Sequence, residues 1–143
     1  MTVRPVNRQE IAYFADAHRR VYREEYRWGP AFCDYAAHIA EPFVRSERDE
    51  FFAAVADGRP VGCIMLCQTE EPAVGQRRLF LVEKGQRGVG VGTALVDALL
   101  EKACACGYQR LILWTASPLV DAIRLYQKYG FYKTEQQPNT TWS

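Results

Sequence analysis

Leu79-Phe80-Leu81-Val82-Glu83-Lys84-Gly85-Gln86-Arg87-Gly88-Val89-Gly90-Val91-Gly92-Thr93 is the stretch that decides how the rest of this chain is read. It opens as an apolar run of strand formers and stops at a charged, glycine-rich turn. It then hands over to a long amphipathic segment at helical period. Strand, glycine turn and helix N-terminus together are a physical recipe for holding phosphate. The first N–H groups of a helix have no partner inside it, and the macrodipole makes that end partly positive. Gly88, Gly90 and Gly92 carry no Cβ, so a diphosphate can lie directly against the backbone.

Spacing separates the motifs that share this recipe. A Walker-type loop needs Gly-Lys-Ser/Thr, and here Gly92 is followed by Thr93 with no lysine. A dinucleotide fingerprint needs Gly-x-Gly-x-x-Gly, but Gly92 comes one residue early and Thr93 stands where the third glycine belongs. The run Arg87 to Gly92 does fit Arg-x-x-Gly-x-Gly. On the loop alone, a turn that only joins strand to helix stays an equal alternative.

Downstream, Val89 to Cys106 reads as a helix with Val91, Ala94, Leu95, Ala98 and Leu99 toward a sheet, and Gly107 is placed to end it. Tyr108 to Thr115 reads as a strand, its continuous apolar centre suited to an interior position. Ser117-Pro118 opens a last helix, with Leu119, Ala122, Ile123 and Tyr126 as its stripe and Gly130 at its end. A strand begins at Phe131, and a short final strand is expected near Thr140 to Trp142.

Upstream, Thr2 to Val6 is a short strand, and Asn7-Arg8-Gln9-Glu10 is a capping box for a helix with the stripe Ile11, Phe14, Ala15, His18, Val21 and Tyr22. That helix is expected to end near Arg27-Trp28-Gly29-Pro30. A second helix follows, with Phe32, Tyr35, Ala36, Ile39 and Phe43 on one face. Phe51 to Ala56 and Val61 to Cys67 form a hairpin about the turn Asp57-Gly58-Arg59-Pro60, with Val61, Cys63, Met65 and Cys67 sharing one face. Thr69 to Gly75 reads as a polar loop and Arg77 to Glu83 as the central strand. Hairpin pairing early and strand–helix–strand units late imply a mixed α/β sheet flanked by about four helices.

Composition narrows the partners. The chain has 143 residues, enough for one domain, expected over 1–143, with a respectable core. Its formal net charge is +1, so nothing points to nucleic acid or a membrane surface. No apolar run approaches the ~20 residues of a membrane span, and Met1-Thr2-Val3-Arg4-Pro5 has no signal-peptide core. The 5 cysteines include no Cys-x-x-Cys pair and suit a reducing, cytoplasmic setting. Cys104-Ala105-Cys106 has no histidine nearby in sequence, so no metal site is expected.

With these elements in order, the loop resembles the acyl-CoA-binding loop of the GCN5-related N-acetyltransferase (GNAT) superfamily. Ala122-Ile123-Arg124-Leu125-Tyr126-Gln127-Lys128-Tyr129-Gly130-Phe131 is similar to that family's Ala-x-x-Leu-Tyr-x-x-x-Gly-Phe signature. Leu113-Trp114-Thr115 and Leu81-Val82-Glu83 resemble bacterial modules that often follow a MarR-type DNA-binding module, of which this chain carries none. Lys84 replaces a common proline, and Leu119 stands where many members have an asparagine seven residues before the tyrosine.

The resemblance implies attack of a neutral amine on the thioester of acetyl-CoA, used as co-substrate without a metal. Backbone N–H groups of Arg87, Gly88, Val89, Gly90, Val91, Gly92 and Thr93 would cradle the diphosphate, and Leu81 and Val82 would pair with the pantetheine arm. The Val82 N–H would stabilise the oxyanion. Tyr126 maps to the general acid that protonates the leaving thiolate, a phenol being protonated at neutral pH. Its other reading is a core aromatic. Glu83 is the first candidate for the base, with Glu24, Glu25, His18 and a water chain as alternatives. Tyr22, Tyr26 and Trp28 would line the acceptor side, or simply pack helices. The implied acceptor is an amine of a small molecule or peptide, and the expected assembly a monomer or homodimer. A non-catalytic acyl-CoA-binding or sensing domain of the same fold is the alternative.

Overall fold

Seven strands form one mixed sheet in the order β1-β2-β3-β4-β5-β7-β6. In chain order the elements are β1 (Thr2–Pro5), α1 (Arg8–Glu24), β2 (Glu50–Ala56), β3 (Arg59–Gln68), β4 (Val74–Val82), α2 (Val91–Ala105), β5 (Arg110–Trp114), β6 (Lys133–Glu135) and β7 (Asn139–Trp142). The structure is a computed structural model that describes residues 1–24, 43–83, 85, 90–114, 129–130, 133–135 and 139–142. The two helices expected from Phe32 and from Ser117 lie outside the described residues. β4 and β5 pair in parallel and the other neighbours are antiparallel, so the sheet is mixed as expected.

Local sequence explains the elements. At the start of α1 the Glu10 N–H donates to Asn7 Oδ1 at 2.9 Å and the Asn7 N–H donates to Glu10 Oε1 at 3.0 Å, a reciprocal capping box. Arg4 then forks onto the Glu10 carboxylate, with Nη1 to Oε1 at 2.7 Å and Nη2 to Oε2 at 2.8 Å. Asp57 and Gly58 both have positive φ, 52° and 73°, the type I′ geometry that closes a two-residue hairpin between β2 and β3. Gly107, at φ 80°, ends α2 in the left-handed conformation.

The sheet is covered on both faces. On one face α1 buries Ile11, Phe14, Ala15 and Ala17 against Phe51, Ala53, Cys63, Met65, Leu79 and Leu81. On the other, α2 buries Val91, Leu95, Val96, Leu99, Leu100 and Ala103 against Ala54, Val61, Ile64, Leu66 and Leu111. Two expectations shift here. The buried stripe of α2 includes Val96, Leu100 and Ala103, while Ala94 and Ala98 are only half-buried. The shared face of Cys63, Met65 and Cys67 breaks at Val61. Ala54 pairs with Gly62 and Val55 with Pro60, so Val61 is an extra residue that turns to the α2 side.

β4 also begins earlier than expected, at Val74 rather than Arg77, inside the stretch read as a polar loop. Gly75 explains why a glycine can pair there. A Cβ on Gly75 would lie 2.9 Å from the Tyr108 ring, which covers the strand. Tyr108 precedes β5, contrary to expectation, and is locked as a plug. Its hydroxyl donates to the Arg48 carbonyl at 2.9 Å, and the Arg48 guanidinium lies 4.5 Å from the ring centre.

Candidate functional site

Two irregularities build the site. The first is in β4. Ile64 pairs with Phe80 and Leu66 with Arg77, so two steps along β3 match three along β4, and Met65 opposes both Arg78 and Leu79. That bulge bends the strand and increases its twist. The parallel pairing of β4 with β5 runs from Val74–Arg110 to Arg77–Leu113 and ends at that bend. From Arg78 onward β4 stays on β3, and among the described residues its pairing with β5 does not continue. The Glu83 N–H donates to the Val61 carbonyl at 2.8 Å. By the alternation of an antiparallel ladder, the backbone groups of Leu81 then face β3 and those of Val82 face away from it.

The second irregularity is the N-terminus of α2. Gly90 is the N-cap at φ 88°, ψ 4°, with no side-chain cap. The first helical bond runs from the Ala94 N–H to the Gly90 carbonyl at 3.0 Å. The N–H groups of Val91, Gly92 and Thr93 precede it and have no partner within the helix. A Cβ on Gly90 would meet nothing within 4 Å, so the backbone can be approached there. Gly62 lets the helix sit this close to the sheet. A Cβ at that position would lie 2.8 Å from the Leu81 carbonyl and 3.0 Å from Leu95 Cδ1. Together these features suit an anion at the helix end and an extended chain beside β4.

Glu83 follows directly on β4 and points to the α1 face. Its Oε1 accepts from Tyr13 Oη at 2.7 Å and from Arg20 Nη2 at 2.9 Å, and its Oε2 accepts from Arg20 Nη1 at 3.3 Å. Tyr13 and Arg20 stand two helical turns apart on one face of α1. Partial burial, and then the bond to Glu83, raises the Tyr13 phenol above its ordinary value. The bond to Glu83 raises the Arg20 guanidinium. Both groups are therefore protonated donors at neutral pH. Cys63, opposite Leu81, is fully buried, and burial pushes its thiol well up, so it is not a nucleophile.

The described residues thus bring Leu81, Val82 and Glu83 to one strand end and Gly90, Val91, Gly92 and Thr93 to one helix end. Arg87, Gly88, Val89, Tyr26, Trp28 and Tyr126, and the side chain of Tyr22, lie outside the described residues, as do the side chains of the alternative bases Glu24 and His18 and the whole of Glu25. Tyr13 and Arg20 were missed by sequence reasoning. Their one signal was the spacing of seven along α1, and nothing in sequence ties them to a residue more than sixty positions on. The Tyr129 hydroxyl donating to Asp97 Oδ1 at 2.8 Å was missed as well. That bond, with burial behind it, pushes the phenol up to about 12. Among the described residues no cluster of His, Cys, Asp and Glu could hold a metal, and no helix is long and apolar enough to cross a membrane.

Comparison with known proteins now adds to this geometry. The sequence model of the Acetyltransferase (GNAT) family matches residues 12–131. An uncharacterized N-acetyltransferase of Methanocaldococcus jannaschii is 26% identical over 139 residues, covering 94% of this chain and 62% of its own length. Human N-acetyltransferase 8 is 29% identical over 115 residues, covering 78% of this chain and 51% of its own. The chain spans less than two thirds of the length of these relatives. Among solved structures, the paia N-acetyltransferase from Thermoplasma acidophilum, in complex with coenzyme A, superposes with a TM-score of 0.72 at 14% identity. It covers 99% of this chain and 96% of its own.

Proposed function

Because the chain belongs to the acetyltransferase (GNAT) family, we propose that it is an acetyl-CoA-dependent N-acetyltransferase acting on a primary amine of a small molecule or peptide. The observation that carries this reading is the end of the β4–β5 pairing at Arg77–Leu113 among the described residues, with the α2 N-terminus close to the far end of β4. The opening has the form needed for an extended arm, and the helix end has the donors needed for a diphosphate.

The residues divide the work. N–H groups of Val91, Gly92 and Thr93, continued by Arg87 through Gly90, hold the diphosphate. Val82 offers its N–H to the carbonyl oxygen as charge develops there. Glu83 takes the proton of the amine, directly or through water, and Tyr126 gives its proton to the departing thiolate. A carbon–nitrogen bond forms, the carbon–sulfur bond breaks, and the products are an amide and a thiol. Tyr22, Tyr26 and Trp28 line the acceptor side. The free thiols of Cys63, Cys67, Cys104 and Cys106 suit a reducing, cytoplasmic setting. Within the family, the Leu81-Val82-Glu83 and Leu113-Trp114-Thr115 runs support a subgroup like the modules that follow MarR-type regulators.

Calorimetric titration with acetyl-CoA, CoA, ATP and NAD tests the reading. Micromolar binding of acetyl-CoA and CoA, with ATP and NAD silent, is expected. Silence toward acetyl-CoA, or tighter binding of ATP or NAD, would overturn it.

A further inference from the structure

The contacts of Glu83 bear on which amine the site accepts. A carboxylate standing alone at the end of β4 would favour any cation, and a polyamine most of all. Glu83 does not stand alone. Arg20 is ion-paired to it at 2.9 Å, and the Arg20 side chain is 42% exposed while that of Glu83 is 17% exposed. The strand end therefore presents a carboxylate and a guanidinium side by side. The fork spends one N–H of each Nη on Glu83. A guanidinium carries five N–H donors, so Nε and the second hydrogen on each Nη can still bind an acceptor group. Arg20 also interacts with the Tyr13 hydroxyl, which sits beside it on the same carboxylate. Tyr13, 38% exposed, donates its hydroxyl to the same carboxylate oxygen that Arg20 Nη2 reaches.

We propose that Glu83, Arg20 and Tyr13 form the acceptor subsite, and that the subsite takes a zwitterion, a primary amine with a carboxylate beside it as in a free α-amino acid. The proposal rests on the acetyltransferase reading and narrows its substrate class. Glu83 faces the ammonium and receives its proton. The outer N–H donors of Arg20 hold the carboxylate, a pairing that guanidinium geometry favours. Tyr13 keeps Glu83 turned to α1, next to the Val82 N–H, so that the amine nitrogen lies in line with the carbonyl carbon. The transfer itself is unchanged. The acetyl group moves from sulfur to nitrogen, one proton passes to Glu83 and one from Tyr126 to the thiolate.

Thiol release with acetyl-CoA, measured on matched acceptors, tests this. The pairs are glycine with glycinamide and phenylalanine with phenylalaninamide, and spermidine represents acceptors without a carboxylate. The wild-type protein is expected to favour each free acid over its amide by at least about tenfold in kcat/KM. Arg20→Gln should bring that ratio close to one while acetyl-CoA affinity by calorimetry stays within about twofold. Arg20→Lys should keep part of the preference, and Tyr13→Phe should lower kcat without changing the ratio. Amides or spermidine used as well as the acids would overturn the proposal. So would an Arg20→Gln protein that keeps the acid preference, or a wild-type protein that binds acetyl-CoA yet acetylates none of the panel. A wild-type protein that does not bind acetyl-CoA would instead overturn the acetyltransferase reading beneath it.

Discussion

Gly62 shows how much one missing methyl group decides. Replacing it with alanine would put a Cβ 2.8 Å from the Leu81 carbonyl, 3.0 Å from Leu95 Cδ1 and 3.1 Å from Val91 Cγ1. The first of these is the backbone of β4 and cannot swing away, so β4 must shift from β3, and the other two press α2 off the sheet. Gly62→Ala is expected to cost about 1–3 kcal/mol in chemical denaturation. It should also weaken acetyl-CoA binding in calorimetry, because the helix end moves with the helix. Tyr126 belongs to this scale too. Tyr126→Phe should lower kcat by about 10²–10⁴ with acetyl-CoA affinity unchanged. Equal loss of both would remove its role as the acid. At single positions the sequence was legible where local chemistry sufficed, as with Gly107 at the end of α2. It was silent on Tyr13 and Arg20, because their meaning comes from a contact across the sheet.

Elements were read best where local chemistry closes on itself. The capping box at Asn7 and Glu10 stands as expected, and the turn expected over Asp57 to Pro60 is present but closes within Asp57-Gly58, with Arg59 and Pro60 already in β3. Asn7→Ala is expected to lower stability by about 1 kcal/mol, seen as a fall in the denaturation midpoint at unchanged slope. Elements were misread where a distant residue supplies the reason. Val74 and Gly75 look like loop in isolation, yet they pair with Gln68, Arg110 and Leu111 under the Tyr108 ring. The turned face of α2 has the same origin. Val96, Leu100 and Ala103 are buried by Ile64, Leu66 and Leu111 arriving from other strands, which helical period alone does not contain.

For the whole molecule, two carboxylates link the fold to pH. The bond from Arg4, opposed by burial and aided by the Asn7 N–H, lowers Glu10 below its ordinary value. Burial pushes Asp49 up, but the bonds from Gln68 and Ser46 outweigh it and leave the net shift downward. A carboxyl group lowered in the folded state contributes stability that is complete above its unfolded pKa, and this is lost as pH falls through the folded value. Denaturation of Glu10→Gln should therefore show its largest deficit against wild type near neutral pH. The deficit should narrow as the pH drops below about 4. A constant deficit across that window would mean that the carboxylate's charge is not what matters. The arrangement of the sheet itself was legible from element order. The bulge in β4 was not, because it has no marker in this sequence.

That bulge has a consequence for the gene as well as for the sheet. Arg77 lies across from Leu66, and Phe80 packs on the same side, with the Arg77 guanidinium 5.0 Å from its ring. Three positions thus separate two residues that a regular strand would place two apart. Losing a single codon, that of exposed Arg78, would restore even alternation without moving any buried side chain to the wrong face. Such a chain should fold, run β4 straight along β5 and fail to bind acetyl-CoA in calorimetry. By these rules a one-residue deletion gives the better-formed sheet, and the supernumerary residue is what selection for activity would have to retain.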